Sequence, residues 1–184
     1  MFRLITSSRV SAVSAVIRQV RFNSTAGYTE AIAKIRDDLK LNFRLKADVI
    51  EKNVIRSILT EVKNLEINNH NKGTNTEYQL YDLFAKMIKE RKDSAAEYMK
   101  KGNPDRFHQL GLNELRECDY IEKYLNILNL ASDEEVDANV KKNYEKIKVQ
   151  DIYKNIPMKS IEKDWNCSKS QVKESVNRVL NELS

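Results

Sequence analysis

Apolar side chains recur along this chain at steps of three and four over nearly its whole length, the spacing that puts them on one face of an α-helix. Ile32, Ile35, Leu39 and Phe43 predict a first helix over about 28–46. Ile50, Val54, Ile58, Val62 and Leu65, widened by Ile55 and Leu59, predict a second over about 48–67. Tyr81, Phe84, Ile88, Ala95 and Tyr98 predict a third over about 77–101, provided Arg91 counts as a member of the stripe. Phe107, Leu110, Cys118, Ile121, Leu125 and Leu128 predict a fourth over about 104–129. Only four glycines and two prolines interrupt the chain, and β-branched runs are absent, so the fold class is all-α.

The breaks between these stripes carry turn chemistry. Asn68 to Thr76 is a polar loop in which Thr74 or Thr76 is placed to cap the third helix. Between the third and fourth helices, Lys100 and Lys101 suit a helix C-terminus and Gly102 suits a left-handed position after it. Asn103 is placed as an N-cap and Pro104 fits a first helical turn. That punctuation predicts an antiparallel hairpin.

Beyond Leu130 the apolar content thins. Ser132 and Glu135 form a capping box opening a fifth helix to about Lys148, Pro157 begins a short helix through Trp165, and Ser168 with Gln171 is a second capping box opening a final helix. The expected organisation is a leader over 1–24, a four-helix body over 25–130 and a small three-helix tail over 131–184.

Charge changes this picture at the N-terminus. Residues 1–24 carry Arg3, Arg9, Arg18 and Arg21 and no acid, the first carboxylate being Glu30. Leu4, Val10, Val13, Val16, Ile17 and Val20 can line the opposite side of a helix, the composition of a mitochondrial presequence with cleavage expected near Arg21-Phe-Asn-Ser24. Without those four arginines the balance moves from 32 basic against 27 acidic residues to 28 against 27. The remaining charge is uneven, with residues 107–140 holding two basic and eight acidic side chains and residues 141–178 ten basic and five acidic. A basic tail beside an acidic middle gives one face that can meet phosphates, although solvated helix faces produce similar blocks. Membrane insertion is not expected, because no stretch is long and apolar enough.

Catalytic and metal chemistry find no support. His70 and His108 lack a Ser or Cys partner at a suggestive spacing, and Cys118 and Cys167 match no metal pattern. No cofactor cradle, catalytic residue or metal ligand is assigned. The residues that stand out are charged. Arg91 sits in the apolar stripe of the third helix and Glu114 interrupts the row of the fourth. In a hairpin turning at 102–103, residues whose numbers sum to about 205 face each other. That pairs Tyr98 with Phe107, Ala95 with Leu110, and Arg91 with Glu114, a structural ion pair in which the guanidinium fork meets a carboxylate. Arg91, Lys92, Lys101 and Arg106 form a candidate anion site around the corner, the alternative being lysines and arginines that simply complement a helix end. In the tail, Lys159, Lys163, Lys169, Lys173 and Arg178 surround Trp165, a pattern able to grip backbone phosphates and stack a base. The alternative is that Trp165 plugs the core of a small helical unit. The two last helices also evoke a helix-turn-helix, without its turn glycine.

The run Arg91-Lys-Asp-Ser94, Tyr98, then Gly102 to Asp105 resembles the YqeY family. Its wording there is a basic pair, an acid, Ser, an aromatic and a Gly-x-x-Asp corner. Arg56 to Ile67 is similar to the family's second helix, Asn113-Glu-Leu and Ile121 to Leu125 to its fourth, and Ser132 to Val136 to the start of its fifth. The resemblance covers about Ile32 to Leu180 and, with the leader, points to the fungal mitochondrial branch. It implies a helical fold related to the C-terminal domain of the B subunit of the glutamine-dependent tRNA amidotransferase, with a tail equivalent to the tRNA-contacting end. The chain departs from the family where Asn166-Cys-Ser-Lys-Ser170 replaces a glycine-containing loop, which makes close backbone approach to a phosphate harder.

The expected function is therefore that of a mitochondrial matrix accessory protein linked to tRNA binding or tRNA-dependent amidation, with mitochondrial tRNA or an amidotransferase complex as partner. Two alternatives stand beside it: a protein-interaction adaptor, and a carbon–nitrogen ligase using glutamine as amido donor. The family's ligase label belongs to the amidotransferase, whose ammonia-generating and ligating machinery lies outside this domain.

Overall fold

The computed structural model describes residues 24–45, 48–69, 73–144 and 156–182. The leader, His70 and the expected end of the fifth helix at Lys148 lie outside these residues. Seven helices follow one another among those described: α1 (Ala26–Arg44), α2 (Val49–Asn69), α3 (Glu77–Tyr98), α4 (Asp105–Leu125), α5 (Asp133–Tyr144), α6 (Ile161–Asp164) and α7 (Lys169–Glu182). The fold is all-helical, as the apolar periodicity predicts.

Local chemistry sets the helix starts. The Thr25 hydroxyl accepts the Tyr28 N–H at 3.3 Å at the head of α1. The Thr76 N–H donates to Gln79 Oε1 at 3.2 Å at the head of α3. Ser132 and Glu135 exchange both bonds of a capping box, at 3.2 and 3.1 Å. At α7 only half of the second box forms. Ser168 Oγ accepts the Gln171 N–H at 3.1 Å, but the Gln171 amide turns away to Ala131 O and Asp133 Oδ1.

The stripes of α1 to α4 meet in one apolar cluster, centred on Ile35, Ile55, Ile58, Leu80, Phe84, Ile121 and Tyr124. Each fully buried Ile, Leu or Phe there contributes roughly 1.5–3 kcal/mol, whereas an exposed ion pair contributes about 0–1 kcal/mol, so apolar burial holds the four helices together. A second cluster, from Val136, Val140, Ile161, Cys167, Val172, Val176 and Val179, joins α5, α6 and α7. Phe43 departs from expectation. It is 53% exposed at the last turn of α1, with the Arg56 guanidinium 5.1 Å from its ring centroid.

α3 and α4 form the expected antiparallel hairpin. Gly102 takes φ +99°, a backbone state that an L side chain rarely adopts. The Asn103 side chain does not cap α4 as expected. Its Nδ2 donates instead to the Glu97 and Tyr98 carbonyls, at 3.0 and 2.9 Å, satisfying the end of α3. Tyr98 and Phe107 stack with centroids 6.1 Å apart, as their spacing predicts. One turn further in, Gly111 rather than Leu110 meets Ala95. A Cβ at position 111 would lie 3.2 Å from Ala95 O and 2.5 Å from Met99 Cγ.

That close approach yields a prediction. Gly111→Ala should lose about 1 kcal/mol, because a Cβ 2.5 Å from Met99 Cγ and 3.2 Å from the Ala95 carbonyl forces the helices to shift, which outweighs the helix-propensity gain of about 1 kcal/mol. Gly111→Ile should lose about 2–3 kcal/mol by wedging the helices apart at a backbone carbonyl. Urea unfolding of both variants checks the contrast, which equal losses would remove.

Candidate functional site

Arg91 lies where its stripe places it, facing α4 with its side chain 15% exposed, but its carboxylate partner is Glu117. Nε donates to Glu117 Oε2 at 2.9 Å, Nη1 to Met87 O at 3.3 Å and Nη2 to Ser57 Oγ at 3.4 Å. The expected Arg91–Glu114 pairing is therefore corrected. Helical side chains lean toward the N-terminus of their own helix, so Arg91 reaches back over Met87. On the antiparallel neighbour that direction leads to higher residue numbers, away from Glu114. Burial, together with the nearby charge of Glu117, pushes the Glu114 carboxyl above its ordinary range, and Arg91 offsets this only in part.

The corner does not assemble a four-residue anion site. Lys92 bonds Glu122 at 3.0 Å and Arg91 bonds Glu117, so both are neutralised by α4. Lys101 and Arg106 are exposed at the tip, Arg106 lying 5.1 Å over the Phe107 ring. Asp105 already complements the first turn of α4.

In the tail, the basic residues divide into two groups. Arg178 reaches across to α5 and grips Asp137 with two bonds, Nε–Oδ2 at 3.2 Å and Nη2–Oδ1 at 2.9 Å, with Asp133 3.6 Å away. Burial alone would raise the Asp137 carboxyl, but the bonds from Arg178 hold it below its ordinary value. Lys169 pairs with Glu162 at 3.3 Å, tying the head of α7 to α6. Lys159, Lys163 and Lys173 are exposed, and no carboxylate pairs with them among the described residues. Trp165 is half-buried against the second apolar cluster.

Sequence reasoning missed how this tail is attached. Asn166 has φ +49°, a left-handed state that Asn tolerates better than most residues, so it supplies the turn for which a glycine was sought. Its Nδ2 donates to Asn129 O at 2.9 Å, while Tyr78 Oη donates to Glu162 O at 2.6 Å and to Asn166 Oδ1 at 3.2 Å. One turn along α3, Tyr81 Oη donates to Asp133 Oδ1 at 3.4 Å, and Ser170 Oγ donates to Asp82. Burial and the Asp133 charge push the Tyr81 phenol well above its ordinary value, so it stays a donor. The spacing of Tyr78, Tyr81 and Asp82 on one edge of α3 was the available signal. A cleft of about 550 Å³ opens beside this joint, lined by Glu30, Lys34, Glu77, Asn129 and Asn166 among others. With two carboxylates to one lysine, it does not suit a phosphate.

The family model described as Yqey-like protein matches residues 32–180. The chain belongs to the YqeY-like family. Its similar relatives include Altered inheritance of mitochondria protein 41, mitochondrial, from Komagataella phaffii, 53% identical over 89% of this chain and 90% of that protein. The protein of the same name from Saccharomyces cerevisiae is 34% identical over the same shares, and that of Lachancea thermotolerans 34% identical over 86% and 85%. These relatives are named as mitochondrial, and this YqeY-like chain is a mitochondrial protein, in keeping with the acid-free leader. No helix among the described residues is long and apolar enough to cross a membrane, and no group of three metal-binding side chains occurs among them.

Replacing Arg91 tests the ion pair. Arg91→Met should cost about 2 kcal/mol, less than a fully buried pair because both partners retain some water. Without the guanidinium, the Glu114 carboxyl, already pushed up by burial and by the charge of Glu117, loses the cation that offsets them and rises further. A raised carboxylate pKa means that the folded state binds protons more readily than the unfolded chain, so the loss should shrink as pH falls from about 7 to about 5. Urea titrations at the two pH values measure this, and a loss that grew in acid would count against it.

Proposed function

We propose that this YqeY-like protein is a non-enzymatic accessory of the mitochondrial matrix that binds tRNA through its tail, in support of mitochondrial translation or tRNA-dependent amidation. In this reading residues 1–24 are a removable leader, 25–130 a helical body and 131–184 a tail whose orientation the body sets. The observation that carries it is the division among the tail cations: Arg178 and Lys169 serve internal ion pairs, whereas Lys159, Lys163 and Lys173 face solvent without a carboxylate partner among the described residues. Exposed, unpaired lysines release counterions from a phosphate backbone and give binding that falls steeply with salt. Trp165 contributes less than its sequence context suggests, since its packing in the tail cluster leaves only part of the ring for a base.

Binding of a mitochondrial tRNA transcript, measured across a salt series, tests this reading. The Lys159→Glu, Lys163→Glu, Lys173→Glu triple variant should bind at least about 10-fold more weakly. It should also lower the slope of log K against log salt by about two to three. Arg178→Gln should instead loosen the tail, seen as a lower melting temperature. Salt-insensitive binding, or a triple variant that binds as well as the parent, would remove tRNA as the ligand of this face.

A further inference from the structure

We propose that two copies of this chain associate through the outer half of α4, with Arg106, Leu110 and Glu114 forming a self-complementary row across a two-fold axis. The three residues stand at i, i+4 and i+8, so they share one helix face and span about 12 Å. Arg116 bonds Asp48 at the start of α2, at 2.8 Å, and the first turns of α4 therefore run past that end of α1 and α2. The helix face that buries Ile121 and Tyr124 lower down consequently emerges uncovered at Leu110, which is 46% exposed.

Neither end of the row has a bonded counter-ion among the described residues. No carboxylate pairs with Arg106 among the described residues, and its guanidinium rests over the Phe107 ring. Glu114 has no bonded cation among the described residues, because Arg91 has turned to Glu117. A cation, an exposed leucine and an anion in equal steps are satisfied by one partner of matching pattern, the same row running in the opposite direction. An axis through Leu110 would set Leu110 against Leu110 and Arg106 against the Glu114 of the second copy, twice over. This is an isologous contact, and it closes at a dimer.

A row of this length buries little area, so the association should be weak and should fade as salt screens the two ion pairs. Sedimentation of the full chain from about 10 μM to about 1 mM at low salt should show the mass rising from 21.4 kDa toward twice that value. Arg106→Glu gives a chain with carboxylates at both ends of the row, and Glu114→Lys gives one with cations at both ends. Each alone should associate at least about 10-fold more weakly than the parent. Their equimolar mixture should recover association, because each then supplies the charge that the other lacks. Arg106→Glu places an acid in the first turn of α4, where the helix dipole favours it, so this variant should keep its fold, as a thermal melt would show. A parent that stays monomeric throughout, or a mixture no better associated than its separate components, would overturn the proposal.

Discussion

The close approach of α3 and α4 fixes most of what the molecule can do. Two glycines permit it by different means. Gly102 supplies a backbone angle of +99° at the turn, and Gly111 removes a side chain where the helices touch at Ala95. With the helices held at that distance, Cys118 lies 3.6 Å from the Ile88 carbonyl and is buried as a small apolar group rather than an exposed thiol. Burial pushes its thiol pKa up, which suits packing and not nucleophilic chemistry. Arg91 is likewise confined to the seam, where its five donors meet a carboxylate, a hydroxyl and a carbonyl.

The partner chosen by Arg91 has effects beyond its own energy. A half-buried ion pair adds little net stability, since desolvation cancels much of the attraction. It does distinguish one alignment of the hairpin from its neighbours, because sliding α4 by a turn would leave the guanidinium facing Glu114 or Ile121. Having selected Glu117, it leaves Glu114 partly desolvated and without a bonded cation among the described residues. The internal alignment and the unsatisfied outer row therefore follow from the same side-chain direction.

How much of this was legible in the sequence depends on the range of the interaction. Helix positions, the Gly102 turn, the Tyr98–Phe107 contact and the capping box at Ser132 all follow from residues a few positions apart, where propensity and spacing suffice. The pairing of Arg91 was misassigned because a sum rule for facing residues treats side chains as perpendicular to the helix, and a long one is not. Phe43 and Leu110 were placed in the core because periodicity identifies a helix face but not whether anything covers it. The missing glycine near position 166 misled in another way: the required left-handed state is available to Asn, and the composition of the loop does not announce it. Arg178 looked like one more tail cation, and only the packing of α7 on α5 shows that it has an internal carboxylate.

The joint between the two apolar clusters differs in kind from either of them. Within the four-helix cluster, apolar burial resists displacement in every direction, whereas the tail is held to α3 by directional bonds that Tyr78 and Tyr81 donate and Asp82 accepts, and to the Asn129 carbonyl by the Asn166 amide. Such bonds are worth about 1 kcal/mol each and exchange readily with water, so they set an orientation without supplying much of the stability. All three α3 positions sit on the same helix that carries Arg91 about two and a half to three and a half turns further on. Among the described residues, α3 thus carries both the hairpin alignment at Arg91 and the contacts that orient the tail.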